Sequence, residues 1–198
     1  MKSIAAFFTI VTFIVPSLFA QLSSTPDTYK TENGVLTVHP INHGTVAFTF
    51  EGKTIIVDPY GGADKFSGLE APDLILISDI HGDHLNSETI SGLDTKNTTF
   101  IVPQAVADRM NEELQNQIVV IANEESTTQM GIQVTGVAMY NLPDDENSRH
   151  KKGRGNGYII NFGGKKVYLS GDTEDIPEMR NLENIDIAFV CMNLPYTM

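Results

Sequence analysis

The stretch Ser78-Asp79-Ile80-His81-Gly82-Asp83-His84 crowds aspartate and histidine side chains into one short loop. It follows Leu74-Ile75-Leu76-Ile77, an apolar run with the length and composition of a buried strand. It precedes Leu85-Asn86-Ser87-Glu88, which reads as a turn entering a helix. The cluster therefore sits at the C-terminal end of a strand, where a rigid sheet can hold several ligands near one point. Imidazole and carboxylate together suit zinc, manganese or iron. Asp79, His81 and Asp83 alternate and can converge if the loop coils, while His84 can point the other way. That arrangement points to two neighbouring divalent metal ions.

Such a site needs a core to hold it. The chain has 198 residues, of which 41% are hydrophobic and 19% charged, enough for one sizeable core. A formal net charge of -12 leaves no basic footprint, so nucleic acid is excluded as a partner and a small-molecule substrate is expected. The single cysteine, Cys191, rules out an intrachain disulfide framework and a multi-cysteine zinc knuckle. Its apolar surroundings read as those of a buried structural thiol.

Lys2 precedes the apolar residues 4–15, which Pro16 ends, and the small residue Ala20 stands before Gln21. Residues 1–20 therefore read as a secretory signal peptide, and the protein is expected to be secreted or periplasmic. The apolar run is short for a membrane span, so none is expected to remain after cleavage. Residues 21–34 are polar, end in Asn33-Gly34, and read as a flexible leader. The remaining domain is 35–198.

From Val35 the pattern is β-rich. Strands are expected over 36–38, 45–50 and 53–57, with a tight turn at Glu51-Gly52. His39 and His43 flank Pro40-Ile41-Asn42 in the turn between the first two strands; each could reach a site or be an ordinary surface histidine. Asp58-Pro59 ends a strand and could stand behind a metal-bound histidine or simply initiate a turn. Further on come a helix over 86–93, a strand over 98–102, a helix over 104–115 and strands over 118–121 and 131–140. Residues 141–156 read as a polar loop containing His150. A Gly163-Gly164 hairpin leads to Ser170-Gly171-Asp172-Thr173, which places a carboxylate just after a strand. Strands first, then strand-helix-strand units, suit a sheet covered by helices on one face and by a second sheet on the other.

Three segments carry a resemblance. Asp79-x-His81-x-Asp83-His84 resembles the His-x-His-x-Asp-His signature of the metallo-β-lactamase-fold hydrolases, with Asp79 in place of the first histidine. His150 with Gly155-Asn156-Gly157-Tyr158-Ile159-Ile160 and then Ser170-Gly171-Asp172-Thr173 resembles the third-histidine and bridging-aspartate segments. Residues 185–198, including Tyr196, are similar to the following strand and loop in the branch containing ascorbate-6-phosphate lactonase and uncharacterised relatives. The stretch Ile41-Asn42-His43-Gly44-Thr45 also resembles a stretch of one branch, which makes His43 a candidate for lining the site.

The resemblance implies an α/β (α+β) fold of the αββα sandwich type and two divalent ions, zinc or manganese or iron. Asp79, His81 and His150 would hold the first ion, Asp83 and His84 the second, and Asp172 would bridge them. Asp58 would stand behind a ligand, and Asp83 would assist proton transfer. The nucleophile would be a metal-bridged hydroxide acting on an ester, lactone or phosphoester-type substrate. Asp79 could instead orient His81, and its carboxylate would weaken a preference for zinc. The family supplies a further histidine from a later loop, and the sequence stops at Met198 in mid-motif. The expectation is an N-terminal portion of the fold whose C-terminal part is missing. The competing function is a non-catalytic metal-binding or partner-binding module of the same fold.

Overall fold

Period-two patterns build two sheets, and each occupies a separate half of the chain. A computed structural model describes residues 25–192; the segment read as a signal peptide and the candidate Tyr196 lie outside the described residues. The first sheet has seven strands in sequence order: β1 (Asp27–Lys30), β2 (Val35–Asn42), β3 (Thr45–Phe50), β4 (Lys53–Val57), β5 (Leu74–Leu76), β6 (Thr99–Val102) and β7 (Ile118–Val120). β1 to β4 run antiparallel, and β4 to β7 run parallel. The second sheet orders its strands as β12-β11-β10-β9-β8. These are β8 (Ser126–Gln129), β9 (Ile132–Met139), β10 (Gly155–Phe162), β11 (Lys165–Leu169) and β12 (Ile187–Phe189).

Alternation assigns each strand two faces. On the inner face Val46, Phe48, Ile55, Leu74 and Leu76 meet Val134, Tyr158, Ile160, Phe162 and Leu169 of the other sheet. Phe48 and Phe162 pack with ring centroids 5.2 Å apart. On the outer face Ala47, Ile56, Ile75, Ile77 and Phe100 meet α1 (Ser87–Gly92) and α2 (Gln104–Ala107) through Ile90 and Val106. Burying each such aliphatic side chain stabilises by roughly 1.5–3 kcal/mol, so β4 and β5, apolar on both faces, are the centre of the fold. Over the outer face of the second sheet, the described residues supply α3 (Pro177–Arg180), with Ile176 and Met179 against Ala138 and Tyr140. The architecture is therefore mixed α+β: two stacked sheets with helices outside.

Three expectations change, and one strand is added. Residues 27–30 of the presumed flexible leader form edge strand β1, paired with β2 from Asp27↔Val38 to Lys30↔Val35. β2 runs through Pro40 to Asn42 with an irregularity between Pro40 and Asn42, so the turn is His43-Gly44, not 39–43. The helix over 104–115 is two pieces, α2 and a 3-10 turn at Glu112–Gln117. Gln115 Nε2 donates to the Ala107 and Met110 carbonyls (3.1 and 3.2 Å), satisfying groups that a continuous helix would have bonded itself. The polar strand β8 pairs with β9 at the edge of the second sheet.

Candidate metal centre

The ligand loop starts where β5 ends, and the second sheet pins it there. The Tyr158 hydroxyl, fully buried, donates to the Ile77 carbonyl at 2.7 Å. The Asn156 N–H donates to the Ser78 carbonyl at 2.9 Å. This closeness requires glycine at 155: a Cβ there would stand 2.8 Å from the Ser78 carbonyl oxygen and 2.2 Å from Met139 Cε. After Asp79 the chain coils, with the His84 and Leu85 N–H groups both donating to the His81 carbonyl. The Asn86 side chain then caps α1 by accepting from the Thr89 N–H at 2.9 Å.

The coil and the second sheet bring together two groups: Asp79, His81 and His150, and Asp83, His84 and Asp172. Each draws ligands from both halves of the chain. In the first group His81 Nδ1 lies 2.6 Å from Asp79 Oδ2 and 3.2 Å from His150 Nε2. In the second, His84 Nε2 lies 3.2 Å from Asp172 Oδ2 and 3.9 Å from Asp83 Oδ2. Asp172 Oδ2 is also 3.4 Å from His150 Nε2, so one carboxylate oxygen stands between the groups. Gly171 makes this possible with φ 59°; a Cβ there would meet Met139 Sδ at 2.4 Å.

His84 and His150 are each oriented from behind. Asp58 is 4% exposed, and its carboxylate accepts from the Ser78 N–H (2.7 Å), the Ser78 hydroxyl (2.6 Å) and His84 Nδ1 (2.9 Å). It takes a left-handed backbone conformation (φ 47°) to do so, a strain of the kind stored at functional sites. Asn141 Oδ1 accepts from both the His150 N–H and ring Nδ1 at 2.9 Å, which leaves Nε2 facing the site. Arg154 forks onto Asp79, with Nε to Oδ1 and Nη2 to Oδ2 each at 3.1 Å.

The donor set fits divalent metal. His84 Nε2 is buried and, among the described residues, makes no hydrogen bond; Asp172 Oδ2 is near it but off the bonding direction. Such an orphaned atom beside two carboxylates is what a cation would satisfy. Without one, burial disfavours a charged His84, but Asp58 and Asp172 outweigh it and push the pKa up to about 11. Asp172 is held far below the usual carboxylate range: burial opposes this, but the neighbouring imidazoles of His150 and His84 prevail. Burial lowers His81, against the pull of Asp79, and so favours the neutral imidazole that ligation needs.

All six proposed ligands thus lie in the two groups, and Asp58 lies behind His84. His43 Nε2 is 3.3 Å from Asp83 Oδ2 on the exposed side. His39 instead bonds Thr49 on β3 (3.3 Å). Cys191, expected to be buried, is partly exposed on the cavity wall, its Sγ donating to the Thr173 carbonyl at 3.0 Å. The roles of Ser78, Asn141 and Arg154 were not read from the sequence. The second group opens on a cavity of about 700 Å³ walled by Ile41, Val46, Phe189 and Val190, with Arg149 among the lining residues.

The family model described as a beta-lactamase superfamily domain matches residues 37–198. The chain belongs to the beta-lactamase superfamily. Within it, the chain is 28% identical over 165 residues to a UPF0173 metal-dependent hydrolase of Thermococcus onnurineus, covering 78% of this chain and 72% of that one. Its likeness to the Staphylococcus carnosus UPF0173 metal-dependent hydrolase is 27% identity over 169 residues, covering 79% and 73%. The crystal structure of a putative metal-dependent hydrolase from Parabacteroides distasonis superposes with a TM-score of 0.77 at 35% identity, over 88% of this chain and 78% of that one. CmlA, a diiron β-hydroxylase from Streptomyces venezuelae, shares the fold with a TM-score of 0.58 at 21% identity, over 77% and 34%.

Proposed function

We propose that the chain is a hydrolase that uses two divalent ions, zinc or manganese or iron, on an ester, lactone or phosphoester-type small molecule. The observation that carries this reading is Asp172 Oδ2, set 3.2 Å from His84 Nε2 and 3.4 Å from His150 Nε2 beside an open cavity. Asp79, His81 and His150 would hold one ion, Asp83 and His84 the other, and Asp172 both. When bound, the ions supply Lewis acidity and lower the pKa of water. The protein's own groups do the rest. Asp58 and Asn141 keep the ring nitrogens aimed. Asp83, partly exposed and 3.3 Å from His43, would take a proton from water and pass it to the leaving group. The apolar part of the wall would receive an apolar part of the substrate, and Arg149 offers a cation to an anionic part. The basic and apolar start of the sequence supports export. Among the described residues no helix is long and apolar enough to cross a membrane.

A second reading, a metal-binding module without turnover, is favoured by one observation: Arg154 already holds both oxygens of Asp79. Elemental analysis beside an Asp172→Ala control, with ester, lactone and phosphodiester probes, separates the two. Hydrolysis of one probe class with about two equivalents of metal, both lost in the control, supports the enzyme. Metal uptake with no turnover supports the module.

A further inference from the structure

The two groups differ in what already neutralises them. Asp79 is fully buried, and a buried carboxylate demands compensation. Arg154 provides it in a fork whose two arms occupy both oxygens at 3.1 Å. The guanidinium cannot lose its charge, and its backbone is fixed. The Arg154 N–H donates to the Lys151 carbonyl, and next to it the Gly155 carbonyl accepts from Asn123 Nδ2. A divalent ion at Asp79 therefore meets a resident cation on the same two oxygens. The second group has no covalently fixed cation of this kind, since the proton on His84 can leave to solvent. Asp83 and Asp172 have no Lys or Arg partner among the described residues. His84 is braced by Asp58 and Ser78, and its Nε2 is without a partner.

We propose that Arg154 is a built-in competitor of the metal at Asp79, so that the Asp83–His84–Asp172 group loads first and the Asp79–His81–His150 group second and more weakly. Arg154 is then a positioning residue that stabilises the metal-free fold and sets the order of loading. The inference rests on the metal-dependent reading above.

The test is titration of the metal-free chain with manganese(II), following the signal of the free ion by electron paramagnetic resonance. The chain should bind in two steps whose dissociation constants differ by about tenfold or more. His81→Gln should remove the weaker step and leave the tighter one. Arg154→Met should lower the melting temperature of the metal-free protein yet tighten the weaker step by about tenfold. A merely structural arginine would never raise affinity when lost. Arg154→Lys, which keeps the charge and breaks the fork, should tighten that step by about threefold, and it carries the test if the methionine variant does not fold. If the weaker step is unchanged or weakened in a folded variant, Arg154 serves to align Asp79 as a ligand and the inference is overturned. If the parent chain binds no manganese at either step, the inference falls, and if elemental analysis finds no zinc or iron either, the proposed function falls with it; if it binds manganese and only the arginine effect is missing, that function stands.

Discussion

His84 Nδ1 lies 2.9 Å from Asp58 Oδ2; the two residues are 26 positions apart, Asp58 directly after β4 and His84 in the loop that follows β5. This buried contact fixes which nitrogen of His84 faces Asp172. Replacing Asp58 by Ala removes the anchor while leaving every proposed ligand in place. Metal affinity should fall by about 10–100-fold, read by competition with a chromogenic chelator. An affinity unchanged from the parent chain would show that Ser78 alone orients the ring.

The same pair makes the metal-free fold pH-dependent. The pKa of His84 rises from 6.5 to about 11, so its contribution is complete below the unfolded value and fades as pH climbs through the folded one. Metal-free protein should lose melting temperature between about pH 7 and 10, and His84→Gln should flatten that slope. The depressed pKa of Asp172 acts oppositely: its contribution is present above the unfolded value of 3.8 and is lost as pH falls below it. Metal uptake near neutral pH must displace the His84 proton. Calorimetric binding enthalpies should therefore vary with the ionisation enthalpy of the buffer.

Tyr158 joins the sheets under the site. Tyr158→Phe leaves the ring in place but strips the donor from the Ile77 carbonyl. It should cost about 1–3 kcal/mol, seen as a lower denaturation midpoint with an unchanged slope in urea.

Gly155→Ala tests the close approach of β10 to the ligand loop. The added methyl meets both Met139 and the Ser78 carbonyl, so a loss of about 1–3 kcal/mol is expected from overpacking. Because Asp79 follows Ser78 directly, manganese binding should weaken as well. Full stability with full binding would mean that β10 can yield at this point.

Much of the site was legible because its ligands are chemically conspicuous and close in sequence. Asp79 to His84 form one loop, and Asp172 follows a strand and a glycine whose positive φ lets it turn inward. Arg154 was not legible. It belongs to a run of basic residues that reads as a solvated loop, and its partner is 75 positions away. Asn141 looks like any polar residue after a strand until His150 closes on it. The fold shows the same division. Within residues 104–115, Val106 and Met110 are buried four positions apart, as a helical period predicts. The break within it depends on a side-chain amide that periodicity does not register. β8, Ser-Thr-Thr-Gln, has no apolar signal because an edge strand needs none.

Each sheet is one continuous half of the polypeptide, β1–β7 and then β8–β12, and each ligand group is split between them. Asp79, His81, Asp83 and His84 come from the first half, His150 and Asp172 from the second. A divalent ion seated here is thus a rivet through two plates, and extracting it loosens the seam before it disturbs either plate. Severed in the turn between β7 and β8, the two pieces would each carry a partial set of ligands. Their reunion would then report on the ion, much as a split reporter does on its inducer.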